Sequence, residues 1–322
     1  MTPNRQLTQW WASLTKRWAG TALAVAGSSP GCGRHCWCAG DLAGQLVTQS
    51  TTFYAASVTK QVVAALAARA VLDGRLDTQA GIATFLSGLP AWMTSVRVHH
   101  LLHHTAGLPQ PRQLAVALGY SDDARGWSQM NNQKVLIALH RVAPSQAVPG
   151  RQFSYDNTGY ILLAEVLRAV HGQAIAGLAR EILFEPLGLV DSRLGGPATV
   201  QLPSHVAPPA TIGDGGLWTC AADLLTWLEA INEARFGPEL SALVQAPGRL
   251  DDGAVLDYAW GIGPRSGPVG TMYLHGGQWP GWCAMTVRCP TTASAVVVLA
   301  AAEDMAVVSN AALELHERLI MS

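Results

Sequence analysis

Ser57 and Lys60 stand three residues apart in Phe53-Tyr-Ala-Ala-Ser-Val-Thr-Lys60, at the head of a stretch with helical spacing. Residues three apart share a helix face, so the lysine nitrogen falls within hydrogen-bond reach of the serine oxygen. A serine hydroxyl hardly ionises at neutral pH and is a weak nucleophile. A lysine freed of its proton by desolvation or by a neighbouring cation can take the hydroxyl proton. The helix N-terminus adds free N–H groups that favour developing negative charge. Alone, the pattern also describes an ordinary amphipathic helix with a surface lysine, so other residues have to decide.

Two further constellations bear on it. In Pro149-Gly-Arg-Gln-Phe-Ser-Tyr155-Asp-Asn157 a Pro-Gly turn leads to a helix start. Tyr155 and Asn157, two apart on extended backbone, point the same way. A tyrosine beside an ammonium has its phenolate favoured and can act as a base; Asn157 offers amide donors and an acceptor. The plainer reading is a helix-entry loop with a packed tyrosine. In Leu274-His275-Gly276-Gly277-Gln278-Trp279 the glycines leave room for close approach to the backbone. A substrate along that edge would meet main-chain N–H groups, that of Gln278 among them, and His275 could bind an anion or donate a hydrogen bond. A Gly-rich hairpin turn is the alternative.

Other clusters compete. His99-His100-Leu-Leu-His103-His104 places two histidine pairs at i, i+4, a spacing that can hold a metal. No acid lies close in sequence, so packing roles are the better reading and no metal is assigned. Cys32, Cys36 and Cys38 with His35 fit no zinc spacing, and alternation puts Cys36 and Cys38 on one strand face as inert thiols.

The elements that must position these groups follow from periodicity. Leu7, Trp10, Trp11, Leu14 and Trp18 predict a helix over 4–18, and Thr21–Ala26 a buried strand. Lys16-Arg17 before an apolar run ending Ala24-Val25-Ala26 also resembles a signal peptide with its cleavage site. The structural reading of residues 1–26 is preferred, which favours a cytoplasmic protein; a periplasmic or secreted one is the alternative. A strand passes through Cys36–Cys38. The helix from Ser57 stops at Gly74. Helices follow near Asn157–Gly172 and Ile175–Leu183, and another from Thr219. Strands are predicted at Tyr258–Ile262, Thr271–Leu274, Trp282–Cys289 and Ser294–Ala300, and the chain ends in a helix striped by Val308, Ala311, Ala312, Leu315 and Leu319. Strands cluster at both ends, with helices between. The predicted fold is α+β: an antiparallel sheet built from 1–77 and 205–322, flanked by helices, with a mainly helical subdomain over 78–204.

Bulk composition agrees with an enzyme-sized core. The 322 residues are 49% hydrophobic and 13% charged with a net charge of −1, so disorder and nucleic-acid binding are poor fits. No apolar run reaches the length of a membrane span.

Taken together, Ser57-Val-Thr-Lys60, Tyr155-Asp-Asn157 and His275-Gly-Gly277 resemble, in order and interval, the serine β-lactamase and penicillin-binding-protein superfamily. The similarity is greatest to its class C-like branch of β-lactamases, D-alanyl-D-alanine carboxypeptidases, esterases and D-aminopeptidases. Leu101-Leu-His-His104-Thr-Ala-Gly107-Leu and Gly215-Gly-Leu-Trp-Thr-Cys-Ala-Ala-Asp223-Leu resemble two connecting segments of that family. The resemblance implies an acyl-enzyme at Ser57, with Lys60 and Tyr155 as a coupled base and Asn157 positioning substrate and lysine. It also implies an oxyanion hole from the N–H groups of Ser57 and Gln278, with no cofactor. His275 stands where many members carry lysine, which weakens the case for a substrate carboxylate and fits the esterase and D-aminopeptidase branches. Small-molecule substrates are therefore ranked ester first, then D-aminoacyl amide or peptide, then β-lactam. Trp127, Tyr120, Trp218, Trp279 and Trp282 are candidate pocket aromatics. A non-catalytic binding module on the same fold is the rival from another class.

Overall fold

The computed structural model describes residues 5–143, 147–196, 204 and 206–321; the expected helix start at residue 4 and the segment boundary at 205 fall outside them. A six-stranded sheet takes strands from both ends of the chain: β1 (Leu23–Ser29), β2 (Gly33–Ala39), β3 (Gly263–Gly267), β4 (Gly270–Trp279), β5 (Trp282–Cys289) and β6 (Ser294–Ala300). The order is β2-β1-β6-β5-β4-β3, and every neighbouring pair is antiparallel. The principal helices are α1 (Arg5–Arg17), α2 (Thr59–Leu72), α3 (Val98–Leu102), α4 (Asn157–His171), α5 (Ala221–Asn232) and α6 (Met305–Met321). The expected α+β sheet from both termini is thus the one observed.

Strand alternation divides the interior into two layers. Leu23 and Val25 of β1 join Leu7, Trp10 and Leu14 of α1 and Val308, Leu315 and Leu319 of α6. Ala24 and Ala26 face the other way, into a core shared with Val62, Val63 and Leu66 of α2 and Leu224 and Leu228 of α5. Both faces of the central strands are covered, so β1, β5 and β6 are buried along their whole length. This is why β6 and the first half of β1 read as continuous apolar runs.

Helix α2 is not amphipathic. Every residue from Thr59 to Ala68 is buried, Lys60 included, as expected only for a helix enclosed on all sides. The plain surface-helix reading of Ser57 and Lys60 therefore fails. The predicted strand at Tyr258–Ile262 is also absent: that segment is irregular, and the strand begins at Gly263. Gly261 has φ +73, and a Cβ there would lie 2.4 Å from the Lys60 carbonyl oxygen. Tyr258, Trp260 and Ile262 are buried because this bend presses them onto the core. Among the described residues, no single helix is long and apolar enough to cross a membrane.

Candidate active site

The chain reaches Ser57 from a short strand, Phe53–Tyr54, paired with Leu217–Thr219. A single 3₁₀ turn, Ala56–Val58, precedes α2. Ala56 has φ +44, a left-handed conformation that costs a residue with a Cβ about 1–2 kcal/mol. Thr59 holds it: its Oγ1 donates to Ala56 O at 2.6 Å and accepts from Leu217 N at 3.0 Å. This turn leaves Ser57 half-buried rather than sealed in the core.

Lys60 Nζ donates to Ser57 Oγ at 3.1 Å, Asn157 Oδ1 at 2.8 Å and the main-chain oxygen of Asp214 at 3.0 Å. The side chain is 0% exposed. In its neutral form the amine has two hydrogens to spend on Asn157 and Asp214. Its lone pair then faces the Ser57 hydroxyl, the geometry a general base requires. Nζ also sits 4.9 Å from the centre of the Tyr155 ring and 5.6 Å from that of Tyr160. Tyr155 and Asn157 both meet Lys60, as their two-residue spacing predicts. Tyr155 remains 36% exposed, so its ring borders solvent beside the serine.

The Tyr155 segment is fixed from behind. His104 (φ +55) accepts from Ser154 N through its main-chain oxygen and from Asp156 N at Nδ1, and its ring lies 4.2 Å from that of Tyr155. Gln110 donates to Tyr155 O at 2.7 Å. Asp156 caps α4 by accepting from Gly159 N. Sequence reasoning gave none of Gln110, Asp156, Asp214 or Tyr258 a role. Asp214 acts through its carbonyl, which no side-chain pattern announces, and the others are set by tertiary neighbours.

Strand β4 forms the opposite wall. It runs straight through His275-Gly276-Gly277-Gln278, where the sequence had suggested a gap between strands. Strand β3 pairs with β4 only from Gly270 to Leu274, so 275–279 meet the serine turn on that edge instead. A Cβ on Gly277 would stand 2.1 Å from Ala55 O and 3.1 Å from Ser57 N; only glycine lets the strand come this close. The Gln278 side chain turns away to donate to Glu303 O.

His275 is 8% exposed and both ring nitrogens are engaged. Nδ1 lies 2.8 Å from Gly276 O, which can only accept, so Nδ1 carries the hydrogen; Nε2 then accepts from the Tyr258 hydroxyl at 3.1 Å. Burial, and secondarily Lys60, push its pKa down to about 3. The imidazole is uncharged, with no lone pair or N–H left over for an anion.

The rival clusters resolve differently. Helix α3 ends at Leu102; His103 Nδ1 is engaged by the His99 main-chain oxygen at 3.0 Å, and His104 leaves the helix at φ +55. His103 packs on Trp260 and His104 lies behind Tyr155. His99, His100 and Asp251 do converge, but His100 Nδ1 accepts from Arg97 N, which leaves the proton of the neutral ring on Nε2 and blocks ligation there. Cys220 caps α5, with Asp223 N donating to its sulfur at 3.4 Å. All six cysteines are free. Trp218, Trp279 and Trp282 are core residues, 3%, 4% and 0% exposed. Trp127 packs edge-on against Trp279, and Tyr120 meets Lys134.

Ser57, Asn157 and the Tyr155 ring thus gather at the Lys60 nitrogen, with the Gly277 edge of β4 against the serine turn, on a fold shared with the serine β-lactamases and penicillin-binding proteins. The chain belongs to the Beta-lactamase family, whose model matches residues 14–317. It is 24% identical over 285 residues to penicillin-binding protein 4* of Bacillus subtilis, covering 77% of this chain and 60% of the relative. It is 25% identical over 297 residues to a D-aminopeptidase of Gluconobacter oxydans, covering 87% and 55%. The chain thus spans little more than half the length of these relatives. Among solved structures it resembles a penicillin-binding protein from Bacillus halodurans (TM-score 0.79, 21% identity, 94% of this chain and 99% of that one). It also resembles a D-amino acid amidase from Ochrobactrum anthropi SV3 (TM-score 0.78, 19% identity, 97% and 99%).

Proposed function

We propose that the protein is a serine hydrolase that forms an acyl-enzyme at Ser57 and cleaves amides of D-amino acids, with simple esters as accessory substrates. The observation that carries this reading is the capped, uncharged His275. It gives the site no fixed cation beside the strand for a free substrate carboxylate, so acyl donors with neutral leaving groups fit best. The D-aminopeptidase and D-amino acid amidase relatives support placing amides ahead of the esters that sequence alone ranked first.

In this scheme the Ser57 O–H bond breaks, its proton passes to Lys60 Nζ, and Oγ bonds to the carbonyl carbon. The N–H groups of Ser57 and Gln278 stabilise the resulting oxyanion, a contribution of about 3–4 kcal/mol per donor in comparable sites. The intermediate collapses as the leaving nitrogen receives the proton from the Lys60–Tyr155 pair. Water, losing its proton to the same pair, then releases the acid and restores the serine.

The test is a panel of D- and L-aminoacyl amides, a short-chain nitrophenyl ester and a chromogenic cephalosporin, run on wild type and Ser57→Ala. Turnover of D-aminoacyl amides, lost in Ser57→Ala, supports the proposal. Fast cephalosporin turnover with no amide cleavage overturns the substrate assignment. Failure of wild type to be labelled at Ser57 by an active-site phosphonate would point to a binding module.

A further inference from the structure

Lys60 has no charged partner at contact distance. Nζ donates to three uncharged groups: a hydroxyl, a side-chain amide and a main-chain carbonyl. Among the described residues, no carboxylate oxygen comes within 4.0 Å of it. An interior ammonium in this position is costly to form unless negative charge lies nearby.

Two buried carboxyls lie beyond contact distance but near enough to feel the charge on Lys60, and the scheme above uses neither. Asp156 sits between Tyr155 and Asn157; Oδ1 caps α4, while Oδ2 has no hydrogen-bond partner among the described residues. Asp214 holds Nζ through its main-chain oxygen, and its own Oδ1 likewise has no partner. Both side chains are at least 97% buried, at 1% and 3% exposed. The other titratable groups facing this cluster are Tyr155 and Tyr160, whose rings flank Nζ, and His104 and His275, both kept neutral by burial. Tyr258 lies behind His275 and Tyr54 beside Asp214; burial raises both phenols.

We propose that Asp156 and Asp214 are positioning residues that together supply the counter-charge of the catalytic lysine, acting through space rather than by contact. The proposal rests on the acyl-enzyme reading. When the Ser57 proton moves to Nζ and Oγ bonds to carbon, the site gains a buried ammonium, which the two carboxylates offset. When that proton leaves with the amine product, the charge balance returns to its starting point. A direct ion pair would hold the ammonium too tightly for this cycle. Without such a contact the neutral amine is free to face the hydroxyl. Burial raises both carboxyls, Asp156 to about 7; the Gly159 N–H and then Lys60 pull Asp156 back down, and Lys60 followed by local hydrogen bonds does the same for Asp214, so the ionisation of each depends in part on the charge on the lysine.

The experiment is the pH dependence of kcat and kcat/KM for Asp156→Asn and Asp214→Asn, with nitrophenyl ester as substrate and a melting curve on each protein. Asparagine caps a helix as well as aspartate does, so Asp156→Asn retains the fold and decides the matter alone if Asp214→Asn does not fold. Removing a negative charge disfavours the ammonium, so the acid limb moves to lower pH, by about half a unit or more, and plateau kcat falls by up to about threefold for each half unit as the base weakens. KM stays near the wild-type value. An acid limb superimposable on wild type in Asp156→Asn, whatever the change in rate, overturns the proposal and leaves Asp156 a structural cap. An inactive, unlabelled wild type would instead defeat the acyl-enzyme reading itself.

Discussion

At the scale of single residues, the site depends on how Lys60 spends its hydrogen bonds. Two acceptors, Asn157 Oδ1 and Asp214 O, fix the nitrogen so that its third direction meets Ser57. Lys60→Ala is expected to lower kcat by two orders of magnitude or more, and Tyr155→Phe by about a hundredfold. The double variant should be little worse than the poorer single one, because grouped catalytic residues act as a unit. Single-turnover acylation rates check this; near-normal rates in both single variants would remove the base assignment. The meeting of Ser57, Lys60, Tyr155 and Asn157 was legible in the sequence because each carries its own side-chain chemistry at a telling spacing. His275 was legible as a position but not in its state: the partner that caps it, Tyr258, sits seventeen residues away on an irregular segment, and neither residue's type announces the pairing.

At the scale of elements, β4 and the serine turn are a matched pair, and the two adjacent glycines of the strand have unequal roles. A methyl group on Gly277 would collide with the Ala55 carbonyl, whereas one on Gly276 would meet, at 3.0 Å, only the end of the flexible Met305 side chain. Gly277→Ala is therefore expected to abolish activity and lower the melting temperature by several degrees, while Gly276→Ala retains most of both. Activity and thermal melting on the two purified variants decide it; equal effects would show that the close approach is unimportant. Helix α4 was readable almost to the residue because Ile161, Leu162, Val166 and Leu167 mark its buried face and Gly172, at φ +65, ends it; the Asp156 cap at its start went unread. The misplaced strand at Tyr258–Ile262 has a physical cause. Alternating large apolar residues look alike whether a strand pairs them or a bend forces them inward, and the bend at Gly261 exists only because α2 lies beneath it.

At the scale of the whole molecule, the sheet drawn from both termini was legible because buried strands leave long apolar runs at each end of the chain. The packing of the central helices was not, since it depends on contacts between segments a hundred residues apart. Interior histidines make the fold sensitive to acid. Burial lowers His100 and His103 to about 4, His275 to about 3, and His104 well below its usual range. An unfolded histidine titrates near about 6.5, so the unfolded chain binds more protons below that pH. Stability then falls as pH drops from about 6.5 toward the folded-state values. Asp156, Asp214 and Asp223 are raised by burial and work in the opposite sense, but the lowered histidines, His99 and His316 among them, outnumber these carboxyls. The melting temperature should fall steadily between pH 6.5 and 4; a flat or rising curve would contradict this. The enclosure of α2 has one more consequence. A helix walled in on every side has no cheap local opening, so its amides should be among the slowest in the protein to exchange with deuterium. Partial unfolding of outlying segments would then leave Lys60 in place, and heating should abolish any turnover only as the entire domain cooperatively comes apart.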